Sequence, residues 1–162
     1  MRDELENKLV KKFPELFQDR DKPPTETLIC FGCECDDGWF DLIYATCSLI
    51  HDHLKYRSIE SPFRFSQIKE KFGGLRLYHY GGDEYTRGVC SMAEAMSYKI
   101  CEITGERGQL CTTGHWLRTL SKTEAEKHGY TPIKKRLGDE LENEPKQDKN
   151  TTDGTKTESV DS

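Results

Sequence analysis

Apolar residues follow the period of an α-helix in three stretches of the chain, which predicts three amphipathic helices. The first stripe is Leu5, Leu9, Phe13 and Leu16, and the prolines at 14, 23 and 24 predict where that helix ends. The second stripe, in a helix predicted over roughly 38–56, is Trp39, Ile43, Cys47, Ile50 and Leu54. The third follows an N-cap at Asp83 and consists of Val89, Ala93, Met96 and Ile100.

The segment between the second and third helices predicts a β-hairpin. It is rich in aromatic and branched residues around the glycines at 73 and 74, a pair that can adopt the positive φ angles of a two-residue turn. We therefore expect strands at 63–72 and 75–80. This turn places Phe72 opposite Leu75 and Ile68 opposite His79, on a mostly apolar face that receives the helices.

The other face of the hairpin is expected to be basic and aromatic, with Lys71 opposite Arg76 and Lys69 opposite Tyr78. Directly opposed like charges destabilise a strand pair by roughly 0.2–1 kcal/mol, so their presence suggests a use. The functional interpretation is a partner-binding surface made of Lys69, Lys71, Arg76, Tyr78 and Tyr80. The structural interpretation is that these side chains extend into water or are neutralised by neighbouring acids.

The distribution of charge separates the end of the chain from the rest. Residues 138–162 contain three of the 24 basic residues and eight of the 29 acidic residues, which leaves 21 of each sign for residues 1–137. This balance argues against strong nucleic-acid binding, whose main term is electrostatic. Residues 138–162 are polar and lack aromatic residues, so we expect a disordered acidic tail that keeps the protein soluble or occupies the basic sheet face.

These patterns predict an α+β fold, with a small antiparallel hairpin or sheet packed on two or three helices in a single globular domain over residues 1–137. Glycines predict loops or a short hairpin in a knuckle-like subregion, residues 101–130, that ends in a brief helix over 123–128. The chain has no apolar run long enough for a membrane helix, and its seven cysteines suit reduced thiols. We therefore expect a cytoplasmic protein without membrane contact, in which Cys47 and Cys90 are small core residues.

Cysteine and histidine residues supply two candidate zinc sites. Cys101 begins a stretch like a zinc knuckle, but Thr104 stands where a second thiolate is needed, and a hydroxyl is a poor zinc ligand. The residual ligand set is Cys101, Cys111, His115 and His128. The second group consists of Cys30, Cys33 and Cys35. Its C-x-C spacing is wrong for an ordinary zinc finger, which favours buried thiols beside Trp39 over a metal site.

The chain resembles a family of small proteins of uncharacterised function that tailed phages and prophages encode. The resemblance covers about residues 13–130, in the segments CECDDGWFDLI, QIKEKFGGLRLYHYGGDE, MAEAMSYKICEITGERG and HWLRTLS. Family members often carry a C-x2-C-G knuckle and a later C-x2-C or C-x2-H pair, which implies a structural zinc site. Here Cys101 matches the first ligand, and the other positions hold Thr104, Ser121 and Glu124. The resemblance thus implies that the metal has been lost and that the glycine-rich loops pack around Trp116 and Leu120 instead.

The sequence contains no glycine-rich phosphate loop, G-x-S-x-G or H-E-x-x-H motif. Asp36, Asp37 and Asp41 could chelate magnesium, but acids at the start of a helix more often serve capping and the helix dipole. The resemblance implies a phage-type accessory protein, so we expect a non-catalytic module that binds a host or defence-system protein through the basic, aromatic face, in the host cytoplasm. The alternatives are a module for single-stranded nucleic acid and a small structural virion or zinc-stabilised protein.

Overall fold

A computed structural model describes residues 1–57 and 62–133 of the chain. Within them the fold is mixed α+β, as predicted, with four α-helices and two sheets of three strands each. The helices are α1 (Asp3–Lys12), α2 (Phe40–Tyr56), α3 (Glu84–Ser97) and α4 (Lys122–Lys127). The strands are β1 (Cys33–Glu34), β2 (Arg64–Lys71), β3 (Gly74–Tyr80), β4 (Gln109–Thr112), β5 (Leu117–Leu120) and β6 (Thr131–Pro132). The tail predicted at 138–162 lies outside the described residues.

The long helices form where the apolar stripes predict them. α1 ends at Lys12, and Pro14–Phe17 form a 3-10 turn, because a proline cannot continue an α-helix. α3 has the predicted cap: the Asp83 carboxylate accepts the Thr86 N–H at 3.0 Å, and the Thr86 hydroxyl accepts the Asp83 N–H at 2.9 Å. Among the helices described, none has the length and apolar character that a membrane span requires.

The first sheet contains the predicted hairpin and one further strand, in the order β1-β2-β3. β1 runs parallel to β2, with Cys33 opposite Ile68 and Glu34 opposite Lys69, in a region outside the predicted helices and strands. β2 and β3 are antiparallel, and a bulge near Ser66 interrupts their pairing. β1 has two residues, too few to leave a periodic pattern in the sequence.

The predicted position of the hairpin turn is wrong by one residue. The turn residues are Phe72 and Gly73, with φ angles of 54° and 78°, rather than the two glycines. The Gly73 N–H donates to the Glu70 carboxylate at 2.6 Å, which helps to hold this turn. Gly74 belongs to β3 and is required for another reason, because a Cβ atom there would enter the ring of Tyr98. Close packing, and not backbone freedom, therefore explains the second glycine.

Moving the turn by one residue shifts the cross-strand partners of residues 67–71 by two positions and leaves those side chains on their predicted faces, because side chains alternate with period two. Beyond the bulge the parity changes, so Phe65 is buried and Arg64 lies beside Tyr80. Lys69 now lies opposite Arg76, and Lys71 lies opposite Gly74. Two cations still face each other across the strands. Phe72 is the exception: we placed it on the apolar face, but it lies in the turn and is 64% exposed.

The main hydrophobic cluster lies between the inner face of the first sheet and helices α1 to α3. Its largest fully buried side chains include Leu9, Phe13, Trp39, Ile43, Ile50, Phe65, Ile68 and Leu75. Cys47 and Cys90 are buried in it, as predicted. Met96, which the stripe on α3 places against the core, is 45% exposed, and Ala93 and Ser97 occupy the buried positions of that helix.

The second sheet has the order β5-β4-β6 and forms the core of the C-terminal region. Its cluster is small: Cys101, Cys111, Leu120 and Ala125. Leu120 is buried as expected, but Trp116 is 73% exposed, so the expectation that the loops pack around Trp116 is wrong. The Trp116 side chain lies at the tip of the β4-β5 hairpin, where the small sheet offers no surface to cover it.

The segment before α2 joins the two regions through hydrogen bonds. The Trp39 indole N–H donates to the Ile100 carbonyl at 2.9 Å, and the Gly38 N–H donates to the Glu102 carbonyl at 2.7 Å. Gly38 has no room for a side chain, because a Cβ atom would collide with the backbone at Cys101 and Gly105. The C-terminal region is therefore attached by close backbone contact rather than by a broad apolar interface.

Candidate partner-binding face

The five predicted binding residues project from one side of β2 and β3, which we call the outer face: Lys69, Lys71, Arg76, Tyr78 and Tyr80. Lys71 is exposed, and Tyr78 and Tyr80 are 42% and 49% exposed. Lys69 and Arg76 are half-buried. The two tyrosine rings thus form the accessible aromatic part of this face, and the lysine nearest the turn is its most accessible cation.

A groove of about 320 Å³ runs beside the two tyrosines and is called the tyrosine groove here. Its lining residues come from β2, β3 and the segment after the proline pair: Pro24, Thr25, Glu26, Thr27, Leu28, Ser66, Gln67, Tyr78 and Tyr80. Hydroxyls, one amide and one carboxylate accompany the rings, so the groove combines apolar surface with several hydrogen-bonding groups.

The bulge in β2 explains why this groove exists. Ser66 has no partner on β3, and its carbonyl instead accepts the Leu28 N–H at 3.1 Å and the Thr27 hydroxyl at 3.3 Å. The extra residue therefore anchors the 24–28 segment alongside the sheet. Leu28 is left 43% exposed at the edge of the groove.

Arg64 fixes one end of the tyrosine groove. Its guanidinium carbon lies 5.0 Å from the centre of the Tyr80 ring, within range of a cation–π interaction. Its Nε atom lies 2.7 Å from the Asp19 carboxylate, which is nearly buried. The Tyr80 ring is thus held by the Arg64 guanidinium, which is itself paired with Asp19. This arrangement limits the rotamers available to the ring.

One of the predicted cations already has a side-chain partner within the fold, and another lies opposite a carboxylate in the register of the sheet. The Arg76 guanidinium donates to the Tyr98 hydroxyl at 2.8 Å and lies 5.7 Å from the centre of that ring. Lys69 lies opposite Glu34 in the parallel β1-β2 register, and the Glu34 carboxylate accepts the Gln67 side-chain amide at 2.8 Å. The outer face is therefore less positive than the sequence alone indicates, because a carboxylate from β1 lies beside its central lysine.

The knuckle-like region keeps one thiol in a polar pocket. Burial acts to raise the pKa of Cys101, but hydrogen bonds from the Thr104 hydroxyl and from the N–H groups of Ser121, Thr104 and Ile103 outweigh it and lower that pKa below its usual value. Burial raises the pKa of Cys111. Three of the four positions that the family resemblance assigns to a zinc site thus lie together, at Cys101, Thr104 and Ser121.

The residual zinc set is not assembled. His115 is exposed near the tip of the β4-β5 hairpin, and the His128 ring lies 3.1 Å from a Glu124 carboxylate oxygen on α4. Within residues 1–57 and 62–133, no group of three or more histidine, cysteine or acidic side chains is arranged to hold a metal ion.

The cysteines before α2 behave as buried thiols. Cys33 and Cys35 are 3% and 6% exposed, while Cys30 is half-buried and donates to the Thr27 carbonyl at 3.1 Å. Burial raises the pKa of Cys33 to about 12 and also raises that of Cys35. Neutral thiols of this kind are poor nucleophiles and poor metal ligands.

The acids at 36 and 37 form ion pairs and do not cap α2, which has no side-chain cap. Asp36 pairs with Arg118, and the Asp37 carboxylate accepts the Arg2 N–H at 2.8 Å. That hydrogen bond and the Arg2 guanidinium lower the pKa of Asp37. Asp36 and Asp37 are thus turned towards different partners.

Sequence reasoning did not find the residues that complete the tyrosine groove. Glu26, Leu28 and Gln67 lie in two segments about forty residues apart, and their proximity depends on the Ser66 carbonyl. The prolines at 23 and 24 predicted only that the segment around them is irregular. No local pattern in the sequence indicates which strand that segment contacts.

Comparison of the chain with protein-family models, curated proteins and solved structures finds no match. The function is therefore inferred from the residues and geometry of the outer face.

Proposed function

We propose that this protein is a non-catalytic binding module that captures a partner protein through its outer face. The observation that carries the proposal is the pair of accessible tyrosines beside the tyrosine groove, flanked by Lys69, Lys71 and Arg76. Tyrosine and arginine are enriched at the centres of protein interfaces, since a large ring with a polar tip supplies contact area at low conformational cost.

The charge around the groove favours a protein partner over nucleic acid. Glu26 lines the groove, and Glu34 lies beside Lys69 in the sheet. Carboxylates at these positions repel phosphates, and residues 1–137 carry no net charge to attract them. A partner surface with mixed charges and an apolar centre fits this arrangement better.

The residues that line the tyrosine groove also argue for binding without catalysis. The groove contains no histidine, cysteine or lysine among its lining residues, and its only carboxylate is that of Glu26. General acid–base or nucleophilic catalysis usually requires a pair of such groups within hydrogen-bonding distance. The resemblance to phage-encoded proteins makes a host or defence-system protein the partner that we propose.

The experiment compares capture by the wild-type protein with capture by a variant carrying Lys71→Ser and Tyr78→Ala, which removes exposed groups of the outer face and leaves the Arg76–Tyr98 contact intact. Capture from host lysate is followed by quantitative mass spectrometry. We expect a specific partner to be lost from the variant by at least about tenfold, or about 1.4 kcal/mol.

A matched control carries Lys55→Ser and Tyr56→Ala on α2, where a lysine ammonium also lies near an exposed tyrosine ring, at 5.6 Å. The control should retain the partner, and both variants should unfold at the wild-type temperature. Equal capture by the outer-face variant contradicts the proposal. Capture that disappears after nuclease treatment or falls steeply with salt indicates nucleic acid instead.

A further inference from the structure

A second depression, larger than the tyrosine groove, lies between the end of α3 and the second sheet, with a volume of about 870 Å³. We call it the basic cleft, because the described residues in its walls include Lys99, Arg107 and Lys122 and no aspartate or glutamate. Lys99 follows the end of α3, Arg107 lies in the loop before β4, and Lys122 is the first residue of α4. The fold therefore concentrates positive charge from three separate segments.

These cations are weakly compensated. All three residues are exposed, and within residues 1–57 and 62–133 the nearest carboxylate to any of their ammonium or guanidinium groups is that of Glu126, 4.0 Å from Lys122. An exposed pair of that kind contributes little. By contrast, most other cations near the core are paired at close range, such as Arg64 with Asp19 and Arg20 with Glu6. The basic cleft thus presents free positive charge.

The chain itself carries the complementary charge close to this position. Ile133, the last described residue, lines the basic cleft. Residues 139–144 contain four acids and no lysine or arginine, and another four acids follow before residue 162. Six residue steps lead from Ile133 to Asp139 and can span at most about 20 Å, so the first of these acids lies within reach of the cleft.

We propose that the basic cleft binds the acidic segment of the same chain that begins at Asp139, with Lys99, Arg107 and Lys122 holding its carboxylates. Because the segment is covalently attached, its effective concentration at the cleft is of millimolar order, which an external anion must exceed to compete. The contact is exposed, so salt should weaken it. This inference concerns a site distinct from the tyrosine groove and stands whether or not the outer face captures a partner.

Zero-length carbodiimide crosslinking of the full chain, followed by peptide mass spectrometry, tests the contact directly. We expect Lys99 or Lys122 to be joined to the acids of residues 139–144, with yields several-fold above those for Lys8 and Lys55, which are exposed on α1 and α2. Mixing isotopically light and heavy protein distinguishes links within one chain from links between copies. The links should fade at about 0.5 M salt.

Two full-length variants sharpen the test by removing equal charge from different places. One carries Asp139→Asn, Glu140→Gln, Glu142→Gln and Glu144→Gln, and the control carries Asp148→Asn, Asp153→Asn, Glu158→Gln and Asp161→Asn. The rate at which an amine-reactive reagent modifies Lys99 and Lys122 should rise several-fold in the first variant, change little in the control, and stay constant at Lys8 in both.

Several results would overturn the proposal. Crosslinks from the acids to Lys69 and Lys71 place the segment on the outer face, and crosslinks confined to Lys134 and Lys135 reduce the contact to chain neighbours. Links between copies indicate an oligomer. A single-stranded oligonucleotide could also protect Lys99 and Lys122 from the amine-reactive reagent. If it does so at the same concentration in the wild-type protein and in the variant without the acids of residues 139–144, the basic cleft is assigned to nucleic acid.

Discussion

In the described residues, the main cluster buries nineteen apolar side chains around Trp39, whereas the cluster of the second sheet buries four, and two of those are the thiols of Cys101 and Cys111. The main cluster is stabilised by removing apolar surface from water. The second region depends on directed contacts: N–H groups around the Cys101 sulfur, the Glu102–Arg118 ion pair, and the Ser121 cap of α4. A region with so few apolar residues needs such contacts, or a metal, to stay folded.

The largest expected effect comes from making the same change in both clusters. Leu75→Ala in the main cluster and Leu120→Ala in the second each remove a fully buried leucine. We expect a loss of about 4 kcal/mol for the first and about 2 kcal/mol for the second, because a small cluster can collapse into the cavity. Urea unfolding measures both, and equal losses would show that the two clusters are packed alike.

Restoring the missing metal ligands should give the second region another source of stability, which tests how it differs from the main region. The variant carries Thr104→Cys, Ser121→Cys and Glu124→His, at the positions where the family resemblance places the missing ligands. Zinc at a hundredfold excess over its dissociation constant should stabilise this variant by about 2.7 kcal/mol. Thermal unfolding with and without zinc provides the measurement.

The matched control for that variant adds Cys101→Ser, which removes the fourth donor. It should gain nothing from zinc, and neither should the wild-type protein. Zinc stabilisation of the wild type would instead mean that Cys101 and Cys111 recruit further ligands, contrary to the arrangement of the described residues.

The smallest expected effect concerns the link between the regions. Burial raises the pKa of Glu102, and Arg118 offsets this only in part. The folded protein then holds a proton that the unfolded chain has released, so this carboxyl reduces stability as pH rises from the unfolded pKa, about 4.3, through the folded one. Glu102→Gln removes that dependence. Its stability relative to wild type should therefore improve as the pH rises above the unfolded pKa of about 4.3, as measured by urea unfolding; parallel pH profiles would contradict the assignment.

The main region could be predicted from the sequence because its elements leave periodic patterns. The apolar stripes of α1, α2 and α3 each span several helical turns. The alternation of apolar and polar side chains in the hairpin spans several residues of each strand. The turn was misplaced because two glycines suggested two left-handed positions, while Phe72 adopts one of them at φ 54°. Gly74 instead packs against the Tyr98 ring, a contact between segments that the sequence separates by more than twenty residues.

The second region and the candidate sites were harder to foresee for a physical reason. β1 and β6 have two residues each, and β4 and β5 have four, so no alternation is visible. The five residues of the outer face were predicted from parity alone, which holds for them because they lie on β3 or between the bulge and the turn of β2. The charge of this face was not predicted, because a parallel pairing that no local pattern indicates places Glu34 opposite Lys69. The basic cleft likewise depends on three distant segments.

The position of α3 along the first sheet limits how other chains can attach. The Leu75 N–H of β3 donates to the Ser97 hydroxyl at 2.9 Å, and the Leu77 N–H donates to the Glu94 carboxylate at 2.8 Å. β3 is the edge strand of its sheet, and these side chains occupy donors that an incoming strand would need. A partner therefore cannot extend this sheet at β3 by adding a strand, and copies of the protein are protected from pairing there into continuous fibres.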